Sequence, residues 1–307
     1  MKRFKTFLKE GGNAVKNVVR IKKEYVKPIF NRFYQLILKP LGLKKSETTF
    51  LGSTGKKKDS GDMDVAIDYT AIFKRSKTIK TIDDLYDKII QILKQNHIDY
   101  KDMRQMGLIS LAFPIYDENG KNYYIDYDKR GENKIVARVQ IDIMPTDNLE
   151  YVSWSYYSPT EEESKWKGLY RNEILYAIAK YMDFKVLKKA FDKEGKEIPT
   201  EWERYFFDLS KGLLKGRQTR IGKKGNIIKS IKTIEKKVIE KNPDMITQML
   251  FGPNVRANDV LTWEDAWELI HRPDFPYKNK LKDILKMTAD GILKKGYPLP
   301  DELAKEV

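Results

Sequence analysis

Two runs, DMDVAID at 62–68 and VQIDIMP at 139–145, set carboxylates inside alternating, apolar sequence that reads as strand. Side chains two apart on a strand share a face, so Asp62 and Asp64 point the same way. Asp142 stands between Ile141 and Ile143, so it has one face to itself while its neighbours pack. Carboxylates placed this way repel one another unless a cation sits among them, and they cannot be buried bare. A third oxygen ligand for a site built on Asp62 and Asp64 has to come from a neighbouring strand, and Asp142 is the preferred source. Asp126 in YYIDYD and Asp68 in AIDY are its rivals.

The rest of the first half supplies a small mixed sheet and its covering helices. Residues 14–39 carry Val15, Val18, Val19, Val26, Ile29, Phe30, Phe33, Leu36 and Ile37 at three- and four-residue steps, which predicts a helix with one apolar and one basic face, kinked or divided at Pro28. PLGL ends it, and TTFLGS begins the first strand. Residues 81–98 open on a capping Thr81 and place Leu85, Ile89, Ile92 and Leu93 on one face of a helix. LISLAFPIY and NYYIDYDK read as a hairpin around Asn119-Gly120, and KIVARVQIDIMP as one further strand ended by Pro145. Beyond SYYSPTEEE, the segments KWKGLYRNEILYAIAKYM, TEWERYFFDLSKGLL, NIIKSIKTIEKKVIEK, TWEDAWELIHR and KNKLKDILKMTADGILKKG all read as helices. The predicted class is thus α+β: a basic helical segment at 1–45, a small mixed β-sheet domain with flanking helices at 46–150, and an all-α domain at 151–307.

Charge narrows the partners. The 307 residues carry a formal net charge of +15, and it is concentrated. Residues 1–45 hold 13 Lys/Arg against Glu10 and Glu24, and residues 211–241 hold 11 against Glu235 and Glu240. Two basic segments on a mildly acidic body predict contact with a phosphate backbone. KGLLKGRQTRIGKKGNIIK at 211–229 reads as a basic loop suited to such a chain. Cys is absent, which removes disulfides and thiolate metal sites and suits a reducing cytoplasm. Neither a secretory signal nor a membrane span is expected. With only His97 and His271, a zinc site has almost nothing to use, and both histidines read as residues near helix ends. No GxxxxGK[ST] run occurs, so a P-loop is excluded.

The loop GSTGKKKDSG at 52–61 joins the first two strands. Glycine at 52 lets a backbone N–H approach a phosphate closely, the Ser53 hydroxyl adds a donor, and Lys56, with Lys57 and Lys58, can neutralise phosphate oxygens. Paired carboxylates of the Asp62/Asp64 kind suit two Mg²⁺ (or Mn²⁺) ions roughly 3.5–4 Å apart, an arrangement that activates a hydroxyl and steadies a leaving phosphate. The bland alternative is a charged hairpin turn. In EYVSWSYYSP, Trp154, Tyr156 or Tyr157 can stack a nucleobase or form a seam between domains.

Gly-Ser, a short polar loop, Asp-x-Asp followed by apolar residues, and a later strand Asp together resemble the DNA polymerase β-like nucleotidyltransferases, over roughly residues 48–145. That superfamily includes poly(A) and CCA-adding polymerases, cyclic-oligonucleotide synthases and small toxin or antibiotic-modifying transferases. The resemblance implies that Gly52 and Ser53 hold the nucleotide phosphates. It implies that Asp62, Asp64 and Asp142 bind two divalent metals, and that Asp142 helps deprotonate the acceptor hydroxyl. It also implies that the start of the second domain contributes triphosphate-binding cations, for which Lys165 and Lys167 are candidates, and that the second domain forms the other wall of a cleft. The activity so implied is transfer of a nucleoside monophosphate from an NTP to an acceptor hydroxyl with release of pyrophosphate. The basic segments favour an RNA 3′ end as acceptor. A cyclic or linear signalling oligonucleotide, NMP transfer to protein or tRNA, and a nucleic-acid-binding module on a degenerate transferase fold remain alternatives.

Overall fold

The computed structural model describes residues 14–16, 18–115, 124–127, 134–191, 194–221 and 230–307. They form an α+β chain of two compact units, Met1–Ser153 and Trp154–Val307.

In the first unit, extended chain pairs as β1 (Ile21–Lys22) before the helix α1 (Lys23–Phe33), which runs on through a π turn at Tyr34–Leu38. The predicted helix over 14–39 thus starts later than its periodicity suggests. Val18, Val19 and Ile21 are β-branched and favour extended backbone, and Val19 N–H donates to Arg138 O at 2.8 Å. Pro28 lies inside α1 without ending it. Next come β2 (Thr48–Leu51), β3 (Asp59–Ser60), β4 (Asp62–Asp68), α2 (Tyr69–Arg75), α3 (Ile82–Gln95), β5 (Tyr100–Met103), β6 (Leu108–Pro114), β7 (Tyr124–Tyr127), β8 (Lys134–Val136), β9 (Arg138–Thr146) and α4 (Leu149–Ser155). Thr81 caps α3 by accepting from Asp84 N–H, while Asp84 reaches back to the Thr81 amide.

Five strands make the main sheet, in the order β2-β4-β9-β6-β5. β4 and β9 pair in parallel and the other neighbours are antiparallel. Met63, Val65 and Ile67, Val139, Ile141 and Ile143, and Ile109, Leu111 and Phe113 pack with α1 and α3 residues such as Ile29, Phe33, Leu85, Ile89 and Leu93 in one core. The intervening residues of the same strands, including Asp62, Asp64, Gln140, Asp142 and Ser110, therefore project from the opposite face.

Two strand expectations change. The proposed hairpin of 108–116 with 122–129 does not form among the described residues: β6 lies between β9 and β5, and β7 pairs with β8 instead. Residues 117–122, the expected turn, lie outside the described residues. KIVARVQIDIMP is two strands, broken at Ala137, rather than one.

The larger correction is in the second unit, which is not all-α. It contains α5 (Gly168–Tyr181), then β10 (Lys185–Phe191), β11 (Glu197–Asp208), β12 (Gly212–Ile221) and β13 (Ser230–Glu240), and then α6 (Pro243–Phe251), α7 (Trp263–His271), α8 (Leu281–Lys294) and α9 (Asp301–Ala304). The four strands form an antiparallel sheet in sequence order. Two segments read as helices, 200–214 and 226–241, contribute its strands, and the supposed basic loop is strand over 212–221, with 222–229 outside the described residues. Register shifts at Val186–Lys189 and at Leu213/Leu214 and Arg217/Gln218 interrupt the two-residue alternation. Ile231, Ile234 and Val238 then fall by chance at helical spacing, although β-branched Ile, Thr and Val prefer the strand.

Candidate metal and phosphate site

The parallel register sets Asp64 directly beside Asp142 and Asp62 beside Gln140. Across the other neighbour of β9, Ser110 stands opposite Asp142. One carboxylate oxygen from each of Asp62, Asp64 and Asp142 lies within 4.8 Å of the others. The donor set is hard oxygen with no imidazole or thiolate, which suits Mg²⁺ or Mn²⁺.

Electrostatics favours a cation there. Burial, reinforced by Asp62 and Asp142, pushes the Asp64 carboxyl well above the usual range. Burial and then Asp142 raise Asp62, against a smaller opposing pull from Arg20. Burial raises Asp142, opposed by hydrogen bonds from Ser110 and Gln140. Gln140 Nε2 donates to Oδ1 and Oδ2 of Asp142 at 3.0 and 3.1 Å, which fixes the carboxylate. Its Oε1 accepts from the Ala14 and Val15 amides at 3.1 and 3.4 Å, tying the basic N-terminal segment to the same residue.

The β2–β4 connection wraps the other side. Gly52 sits at φ +59, in the left-handed region, and a Cβ built there would lie 3.0 Å from Asp64 Oδ2. Only glycine lets the backbone pass so close to that carboxylate without strain. Thr54 Oγ1 accepts from the Asp64 amide at 3.0 Å, and Ser60 Oγ donates to Ser53 O at 3.0 Å. The Ser53 hydroxyl has no protein partner among the described residues. Lys56 and Lys57 are half-buried and Lys58 is exposed. Asp59 and Ser60 pair with Lys22 and Ile21, and Arg20 Nε donates to Asp59 Oδ1 at 2.7 Å, so this loop is partly ordered as strand.

Neither rival for the third carboxylate stands in the place of Asp142 on the strands that carry the cluster. Asp68 caps α2, accepting from the Thr70 and Ala71 amides. Asp126 lies in β7, which belongs to a separate two-stranded sheet with β8.

Lys165, Lys167 and Tyr156 belong to the second unit. Lys165 Nζ lies 4.9 Å from the Trp166 ring centroid, Lys167 Nζ lies 5.1 Å from that of Tyr297, and Tyr156 is half-buried. Trp154 is core: its Nε1 donates to Ala257 O at 3.0 Å and its ring meets Phe207 edge-on. Tyr157 donates to Glu163 Oε1 at 2.8 Å, and burial with Glu163 pushes its hydroxyl up to about 12. Arg171, fully buried, donates to the carbonyls of Trp154, Ser155 and Val260, which is scaffolding. His97, at φ 52, follows the end of α3, and His271 Nδ1 lies 2.8 Å from Trp267 O in the last turn of α7.

Sequence reasoning missed Gln140, Ser110 and Thr54. The first two had a readable signal: each is polar, stands in an apolar strand, and shares the parity of a face that already carries a carboxylate. No protein-family model matches the chain, and no curated protein matches it. Among the described residues, no helix is long and apolar enough to cross a membrane.

Proposed function

We propose that the chain is a metal-dependent nucleotidyltransferase that moves a nucleoside monophosphate from an NTP to an acceptor hydroxyl, most simply an RNA 3′ end. The observation that carries this reading is the convergence of Asp62, Asp64 and Asp142 from adjacent parallel strands to within 4.8 Å, beside a left-handed glycine turn. Asp62, Asp64 and Asp142 would hold the divalent ions. When bound, such ions lower the pKa of an attacking hydroxyl and neutralise charge on the phosphate oxygens.

The chain's own residues account for the rest. The Gly52 backbone and the Ser53 hydroxyl meet the nucleotide phosphates, and Lys56 adds positive charge. Asp142, held by Gln140 and Ser110, accepts the proton of the acceptor hydroxyl. The acceptor oxygen forms a bond to the α-phosphorus, the bond from that phosphorus to the bridging oxygen breaks, and pyrophosphate leaves with the electron pair.

Incubation with each labelled NTP and Mg²⁺ or Mn²⁺, with and without RNA, tests the proposal. Extended RNA is expected, and Asp62→Ala or Asp142→Ala should abolish it while circular dichroism stays native. A small product made without RNA would move the acceptor to a second nucleotide. No product with any NTP and metal would overturn the transferase reading.

A further inference from the structure

The sheet of the second unit treats its two faces differently. On one face the charges are matched: Glu201 pairs with Lys188 at 3.1 Å and with Arg217, and Glu203 pairs with Lys215 at 3.2 Å. The register puts Trp202, Arg204 and Phe206 of β11 on the other face, opposite Gln218, Gly216 and Leu214 of β12, while Arg220 faces Ile231 of β13. There the cations lie over rings. Arg204 Cζ is 5.7 Å from the Trp202 centroid and 5.8 Å from that of Phe184, and Arg220 Cζ is 5.8 Å from Trp202. Lys236 Nζ is 4.8 Å from the Phe206 centroid. Among the described residues, none of these three cations has a carboxylate partner, and Arg204 Nε is buried with no hydrogen bond. Asp208, at the end of β11, commits its Oδ1 to Ser210 and Lys211 at the turn.

The rings are arranged in depth. Trp202 is only 3% exposed, beneath its two guanidinium groups, whereas Phe184 is 45% exposed beside them. Trp202 Nε1 donates to Gln218 Oε1 and Gln218 Nε2 to Thr233 Oγ1, both at 3.1 Å, so a polar rung crosses three strands and stiffens the surface. Burying a guanidinium donor without an anion is costly, and holding cations over aromatic faces preorganises them for a flat, negatively charged ligand.

We propose that this face of the β10–β13 sheet is a binding platform for single-stranded nucleic acid. Bases stack on Phe184 and on the guanidinium groups of Arg204 and Arg220, and the phosphates meet Arg220 and Lys236. A lipid surface fits less well, because Trp202 lies beneath the cations and not beyond them. The platform deepens the transferase reading by giving the acceptor strand a surface, but it stands on the sheet alone.

The test is fluorescence anisotropy of the full chain with a labelled oligouridine of about 12 nucleotides, across a salt series. The double variant R220E/K236E should raise Kd at least tenfold and reduce the salt slope by about 1.4, two single-strand phosphate contacts. Phe184→Ala should weaken binding about fivefold or more, the loss of one stacked base. K232E/K237E, which changes the opposite face, should stay within about twofold of wild type. Equal losses from both double variants, or wild-type affinity in R220E/K236E, would overturn the platform. So would binding to anionic phospholipid vesicles without binding to oligouridine. Asp142→Asn separates the two readings, since it should retain oligouridine binding while losing transfer. Wild-type protein that binds the oligonucleotide on this face yet transfers nothing leaves the platform standing and removes the transferase.

Discussion

Replacing Asp64 with asparagine should make the metal-free protein more stable. The three carboxylate oxygens lie within 4.8 Å of one another, and at an effective dielectric of about 20 each fully charged pair at that distance costs about 3.5 kcal/mol. Asp64 faces two such neighbours, which with burial hold its carboxyl high. Solvent reaches all three half-buried groups and a proton can be taken up, so the recoverable part is about 2 kcal/mol. That corresponds to a rise of about 4–8 °C in Tm for a unit of this size. The sign with pH follows from linkage: a carboxyl whose folded pKa is raised binds more protons folded than unfolded. Stability therefore falls as pH climbs from the ordinary 3.8 toward the raised folded value, and the penalty is complete above it. Melting curves in EDTA should show the gain of Asp64→Asn at pH 8 and its disappearance near pH 4. Adding Mn²⁺ should reverse the order, since wild type gains about 2.7 kcal/mol at a hundredfold excess over Kd while the variant gains little. An unchanged or lower Tm for Asp64→Asn in EDTA at pH 8 would refute the account of mutual repulsion.

Gly52→Ala should cost about 1–2 kcal/mol in a denaturant titration, because an L side chain is strained at φ +59, and should also reduce transfer by pressing on Asp64 Oδ2; wild-type stability and turnover together would deny the close approach a role. Gln140→Leu removes the two Nε2 hydrogen bonds to Asp142, leaving that from Ser110, and should shift the pH–rate profile for transfer toward higher pH, with Gln140→Glu not restoring it; a profile identical to wild type would show that Gln140 does not position that carboxylate.

The strands at 62–68 and 138–146 were legible because apolar residues alternate there, with one face packing on helices. The sheet as a whole was not, since β5 was unforeseen and β6 pairs with β9 and β5 rather than with β7. Asp62 and Asp64 could therefore be placed on one face from sequence, and Asp142 on the polar face of a later strand. Their pairing partners could not, since a sequence does not state which strands are neighbours, and Gln140 and Ser110 acquire meaning only once β9 lies between β4 and β6. The second sheet was hidden for another reason. Its register shifts break the alternation, and long Lys, Arg and Glu side chains fill strand positions that on composition suit a helix. Arg171 illustrates a third limit: nothing in its sequence context marks it out, yet it is fully buried and ties backbone carbonyls together.

The parallel pairing of β4 with β9 does more than bring carboxylates together. A slip of one residue in β9 would turn Asp142 into the helix-covered core and push Ile141 and Ile143 out to water, while Asp62 and Asp64 lost their neighbour. The misaligned strand would be penalised twice, once for a buried charge and once for exposed isoleucines. The acidic residues therefore add to the packing that specifies this register. A chain that has settled into its stable register has, by the same criterion, assembled its acidic site.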